Sequence, residues 1–150
     1  MILQNSLFAP ESSWTVPDVF PQFSETETVA IDLETYDPHL TTCGPGWATG
    51  RGHIVGVGVA TENWSGYFPI RHEGGGNLDE GIVLRWLTNL LNSTKRDVIF
   101  HNALYDVGWL RREGIIVKGK ILDTIVAAPL INENRFSYSL DNLGVAYCDE

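Results

Sequence analysis

What this chain lacks narrows its reading first. Its two cysteines, Cys43 and Cys148, are too few in 150 residues for a disulfide framework. No apolar run approaches the roughly 18 residues that span a bilayer, so no membrane partner is expected. The first 50 residues contain no Lys or Arg, yet hold seven acids: Glu11, Asp18, Glu25, Glu27, Asp32, Glu34 and Asp37. That excludes a basic nucleic-acid-binding arm, the positive start of a secretory signal, and an Arg-rich transit peptide. The chain reads as cytoplasmic with reduced thiols. Lys plus Arg is 10 against 19 for Asp plus Glu, a formal net charge of −9. Taken alone, that acidity disfavours a nucleic-acid partner.

What is present suits one globular domain. Hydrophobic residues make up 43% of the chain and charged residues only 19%, which excludes a disordered segment. Residues 1–24, broken by Pro10, Pro17 and Pro21, read as an irregular lead-in, and residues 25–150 as the domain. Residues 29–35 and 53–61 read as apolar, β-branched strands, and residues 67–70 as an edge strand because of Pro69. Gly56 and Gly58 in the second strand suit close approach of a neighbouring element. Residues 36–52 are rich in Gly and Pro and read as a loop. Leu78, Ile82, Val83, Trp86, Leu87, Leu90 and Leu91 recur at helical spacing, with Asn77 as N-cap and Glu80 completing a capping box. A buried strand over 97–101, a helix over 102–112 stopped by Gly114, a short strand ending at Asp123, a helix over 124–130 and another from Ser139 follow. The order β-β-β-α-β-α-β-α-α predicts an α/β fold: a mixed sheet with an antiparallel meander, parallel crossovers and flanking helices.

Two groups of polar residues stand out. Asp32 and Glu34 lie two apart in an apolar strand, so both point to one face. Spacing alone carries little, since chance gives about two such pairs among this many acids. Their embedding says more: carboxylates in a buried strand need a partner, and a divalent cation with oxygen ligands, magnesium or manganese, supplies one. The bland alternative is a solvated strand end. The second group is Asn102 with Asp106, four apart where a strand turns into a helix, hence on one helix face. Here the alternative is a plain N-cap followed by a first-turn acid.

Taken together the two groups resemble a family. Asp32-Leu-Glu34-Thr35 and Asn102-Ala-Leu-Tyr105-Asp106 are similar to the first and second motifs of the 3′–5′ exonuclease (proofreading) domain of phage-type family A DNA polymerases. More broadly, they resemble the ribonuclease H-like exonucleases that use four acidic residues. Asp123-Thr124 and Ser139-Leu-Asp141-Asn-Leu143 match further landmarks of that family. The resemblance implies a ribonuclease H-like fold and a two-metal hydrolysis of DNA from a single-stranded 3′ end. It implies Asp32, Glu34 and Asp106 as catalytic metal ligands, with Thr35, Asn102 and Tyr105 holding the terminal nucleotide. Asp123 and Asp141 are read as helix caps.

The family's third motif, Tyr-x-x-x-Asp, has no counterpart here: Tyr138 is followed at position 142 by Asn, and Tyr147 lies too near the end. The expectation is therefore an N-terminal piece of a split enzyme, inactive without a second chain that supplies the fourth acid and the polymerase. Two other readings stand beside it. One is a non-catalytic ribonuclease H-like assembly module of a replication complex; the other is an RNA exonuclease resembling ribonuclease D. Six of the ten bases (Lys95, Arg96, Arg111, Arg112, Lys118, Lys120) fall within residues 95–120 and suggest a modest phosphate-facing patch beside Asp106, although a solvated helix face explains Arg111 and Arg112 equally well. Tyr36 and Trp47 are candidate base-stacking rings.

Overall fold

A computed structural model describes residues 15–148. Five strands form one sheet in the order β3-β2-β1-β4-β5. β1 (Val29–Tyr36), β2 (His53–Ala60) and β3 (Ser65–Pro69) make an antiparallel meander with β3 at the edge. β4 (Asp97–Phe100) and β5 (Lys120–Asp123) continue the sheet in parallel with β1. The mixed sheet expected from the element order is the one observed. Residues 36–52 are not a plain loop: they contain two single-turn helices, α1 (Leu40–Cys43) and α2 (Gly46–Thr49).

One sheet face is the core. Val29, Ile31, Leu33, Val57, Phe68, Val98 and Phe100 pack there with Val83, Leu87 and Leu91 of α3 (Glu80–Leu91) and with Trp109 and Leu110 of α4 (Ala103–Arg112). The N-cap of α3 is Asp79, whose side chain accepts from the Ile82 amide, and not Asn77. Asn77 instead closes the preceding turn by exchanging two hydrogen bonds with the His72 backbone. α5 (Thr124–Ile131) and α6 (Leu140–Tyr147) follow β5.

Residues 15–28 form no helix or strand, yet they are fastened to the core. Phe20 stacks on Phe68 at 5.4 Å, and the Trp86 indole donates to the Pro21 carbonyl. Arg96 is only 3% exposed, and its guanidinium donates to the Ser24 and Glu27 carbonyls. This takes three of the six bases out of the expected patch. Arg96 is a buried clamp, Lys95 pairs with Glu25, and Arg112 donates to the Gly46, Gly50 and Arg51 carbonyls. No helix among the described residues is long and apolar enough to cross a membrane.

Candidate active site

Asp32 and Glu34 project from the sheet face opposite the core, alternating with buried Ile31 and Leu33. The strand is therefore buried on one face only, and the carboxylates are solvated rather than sealed inside. That corrects the premise of a buried acid pair while keeping both acids on one face. Their strand neighbours on β2 are glycines: Asp32 pairs with Gly58 and Glu34 with Gly56. The Tyr67 ring of β3 lies across Gly56 in the space a Cβ would need. The small residues of β2 thus let Tyr67 reach across the sheet toward the carboxylates. Burial first, then the charges of Glu34 and Asp32, raise the Tyr67 pKa. Tyr67 is in hydrogen-bond contact with the His72 imidazole.

Asp106 approaches from the neighbouring parallel strand. β4 and β1 are in register only at Val29–Val98 and Ala30–Ile99, after which β4 turns into α4. The turn is made at Asn102, with φ of 74° and ψ of 56°, the only non-glycine with positive φ among the described residues. Asn tolerates this left-handed conformation better than most side chains. Asn102 precedes the helix and its side chain makes no cap bond, so it does not share a helical face with Asp106, as the four-residue spacing suggested. Asp123 caps the helix instead. Its carboxylate accepts from the amides of Asn102 at 3.0 Å, Ala103 at 2.8 Å and Ile125 at 3.1 Å, serving α4 and α5 together. Asp141 lies in the first turn of α6 and Ser139 at its N-cap, without a side-chain cap bond.

The helix carries Asp106 to the Leu33 amide, which donates to Asp106 Oδ1 at 3.0 Å. Asp106 is 4% exposed. Its pKa is pushed up to about 7, chiefly by burial and further by the Asp32 charge, while the Leu33 hydrogen bond opposes the rise. Thr35 and Tyr105 are joined hydroxyl to hydroxyl at 2.9 Å, and the Tyr105 hydroxyl donates to Asp37 Oδ2 at 3.0 Å. Asp37 also accepts from the Gly46 amide at 2.8 Å, so it ties α2 to this pair. Sequence reasoning missed Asp37, which reads as one more acid before a proline. Trp47 packs its indole over Gly108 of α4 and is a structural ring, whereas Tyr36 is exposed. His101 meets Thr124 at 2.8 Å.

Asp32, Glu34, Thr35, Asn102, Tyr105 and Asp106 thus lie around the carboxyl ends of the adjacent strands β1 and β4, where open α/β sheets bind ligands. The three carboxylates are not drawn into a ready-made centre: among the described residues, no group of three His, Cys, Asp or Glu side chains is gathered tightly enough to hold an ion. The donor set nevertheless fits a hard divalent cation. It offers carboxylate oxygens only, two solvated and one whose ionised form is destabilised by burial and by Asp32. A cation would offset that repulsion.

Comparison with known proteins agrees with this architecture. A family model described as 3′–5′ exonuclease matches residues 11–149. The chain belongs to that family, the 3′–5′ exonuclease domain of family A DNA polymerases. It is 40% identical over 147 residues to a DNA-directed DNA polymerase of Pseudomonas phage M6, covering 92% of this chain and 22% of the relative. It is 30% identical over 131 residues to the DNA polymerase DpoZ of Salmonella phage PMBT28, covering 86% of this chain and 18% of the relative. The chain thus spans about a fifth of the length of these relatives. In fold it is similar to NrnC of Brucella melitensis, solved with bound Mg2+, with a TM-score of 0.60, 18% identity, and coverage of 83% of this chain and 55% of the other.

Proposed function

We propose that this chain is the proofreading part of a DNA polymerase and removes the terminal nucleotide from a single-stranded DNA 3′ end by magnesium-dependent hydrolysis. The observation that carries the reading is the meeting of Asp106 with the strand that bears Asp32 and Glu34, fixed by the Leu33 amide. The polymerase names of the phage relatives support DNA as substrate, and their phage source supports a bacterial cytoplasm as the place of the reaction.

Asp32, Glu34 and Asp106 would hold magnesium or manganese, and what such ions supply when bound is an activated water and a counter-charge for the leaving 3′ oxygen. The rest falls to the chain's own groups. The Thr35 and Tyr105 hydroxyls, held in line by Asp37, and Asn102 at the mouth of α4 bind and orient the terminal nucleotide. Asp106, half-protonated near neutrality, gives up its proton as its carboxylate is engaged.

In this reading residues 25–150 form the exonuclease domain after a lead-in of residues 1–24, and a second chain would supply a fourth acid and the polymerase. The apolar residues left bare on α5, on α6 and between them support this: Leu130 is 85% exposed, and Phe136 and Val145 also face solvent. The mass of the species that purifies with this chain tests the second-chain form of the proposal.

The activity itself is tested with a 5′-labelled single-stranded oligonucleotide and the native protein in magnesium. Products shortened one nucleotide at a time from the 3′ end are expected. Cleavage that survives Asp32→Ala overturns the assignment.

A further inference from the structure

Tyr67 stands on β3 opposite Gly58 and leans diagonally along β2. Its hydroxyl, and not only its ring, fills the space that a Cβ on Gly56 would take. Gly56 is the cross-strand partner of Glu34. Directly opposed residues of an antiparallel pair point to one face, with Cβ positions about 4.5–5.5 Å apart. The Tyr67 hydroxyl therefore stands where the side chain opposite Glu34 would be, roughly 5 Å from the Glu34 Cβ. A glutamate carboxylate, carried beyond Cβ by a further methylene, spans that gap. The Glu34 charge is felt there: after burial, it is the largest cause of the raised Tyr67 pKa.

The hydroxyl is braced from its other side. It is in hydrogen-bond contact with His72 Nε2, and the two rings meet edge to face with centroids 5.8 Å apart. His72 is fixed in turn by Asn77, which accepts from its amide and donates to its carbonyl, each at 2.8 Å. A phenol has one proton to give. Between an imidazole nitrogen and a carboxylate, the anionic oxygen is the stronger acceptor. The order that follows has His72 Nε2–H donating to the Tyr67 oxygen and the Tyr67 hydroxyl donating toward Glu34. Asp106 has the Leu33 amide to hold it, whereas Glu34 stands on the solvated face of β1.

We propose that Tyr67 is a positioning residue for Glu34: its hydroxyl, braced by His72, aims the Glu34 carboxylate at a bound divalent cation. The proposal rests on the exonuclease reading, with Glu34 as a ligand, and adds to it a support drawn from β3 and the turn that follows. Partners that orient a ligating side chain typically carry roughly 10–100-fold in metal affinity or activity. Gly56 belongs to the same device, because any side chain there would displace the hydroxyl from beside Glu34.

Titration of the intact protein with Mn2+, the free ion being read by electron paramagnetic resonance, measures this without a cleavage assay. Tyr67→Phe keeps the ring over Gly56 and removes only the hydroxyl. It is expected to weaken Mn2+ binding on the order of tenfold or more and to leave metal-free melting within a few degrees of wild type. His72→Ala, which spares the sheet, is expected to act in the same direction and by less, and it carries the test should Tyr67→Phe melt early. In a Glu34→Gln background, Tyr67→Phe is expected to change Mn2+ binding by less than about twofold, since the carboxylate it aims is gone. The proposal is overturned if wild type binds Mn2+ and Tyr67→Phe binds it equally well, or if Tyr67→Phe costs as much in the Glu34→Gln background as alone. A wild-type protein that neither binds Mn2+ nor shortens a single-stranded oligonucleotide overturns the exonuclease reading, and the Tyr67 assignment with it.

Discussion

The amide of Leu33 donates to the carboxylate of Asp106 over 3.0 Å, across 73 residues of sequence. Leu33 sits between Asp32 and Glu34, so this one bond sets the third acid against the strand of the other two. It also solves a local problem. β4 leaves β1 after Ala30 and Ile99, and an amide of β1 beyond that point would lack a ladder partner. Asp106 supplies the missing acceptor, so an acid central to the proposed chemistry also completes the sheet.

Asp106→Asn separates those two roles, because asparagine still accepts from Leu33 but cannot ionise. Burial raises the Asp106 pKa from 3.8 to about 7, so the folded state binds this proton more tightly than the unfolded chain. Stability from this group is fully present below about pH 4 and is lost as pH climbs toward 7. In chelator, urea midpoints of wild type should therefore fall over that window, and those of Asp106→Asn should fall less. Nuclease activity of the variant should drop on the order of a thousandfold or more. Equal pH slopes for the two proteins would remove Asp106 as their source.

Asp32→Ala should behave in the opposite way as to folding. Asp32 projects into solvent from the open sheet face, so its loss should move the metal-free melting temperature by no more than about 2 °C. Magnesium at a hundred times its dissociation constant should stabilise wild type by about 2.7 kcal/mol, or about 5–10 °C. The variant should lose most of that rise together with its activity. A melting scan with and without magnesium reads both quantities, and a full magnesium shift in Asp32→Ala would falsify its role as a ligand.

Much of this was legible in the sequence because it is periodic. Alternation in β1 put Asp32 and Glu34 on one face, and the 3.6-residue spacing of Val83, Leu87 and Leu91 marked α3. What was hidden depends on contacts between distant segments. Nothing near Arg96 says that it is buried under Ser24 and Glu27, and nothing near Asp106 says that Leu33 is its partner. The α3 cap passed from Asn77 to Asp79 because Asn77 was already committed to the His72 turn. The passage of Tyr67 over Gly56 to the side of Glu34 needs the register of β1 on β2, which composition cannot supply.

Asp123→Ala should be costly for a residue of its size. Its carboxylate holds the first amides of α4 and the Ile125 amide of α5. A single N-cap is worth roughly 0.5–2 kcal/mol, so losing a shared one should cost about 2–3 kcal/mol. It should also free the left-handed turn at Asn102 and lower activity at saturating metal. Chemical denaturation measures the first effect. A loss below about 0.5 kcal/mol would show that water replaces the carboxylate without penalty.

Gly108→Ala tests how the segment between β1 and β2 is held. The Trp47 indole rests on the bare backbone of Gly108, in the space a Cβ would occupy. Arg112, one turn further along α4, donates to the Gly46, Gly50 and Arg51 carbonyls and lies over the Trp109 ring at 5.3 Å. Asp37 holds the Gly46 amide from the other side and shares its oxygen with Tyr105. A methyl at 108 must push Trp47 away, and overpacking of this kind costs about 1–3 kcal/mol. As α2 lifts, Asp37 should lose its grip on Tyr105, and Tyr105 on Thr35. The expected signature is therefore paired: a change in the Trp47 environment by near-ultraviolet circular dichroism with faster proteolysis within residues 38–52, and a rise in KM larger than the fall in kcat. A variant that is destabilised but keeps its KM would show that α2 braces the fold without positioning the nucleotide.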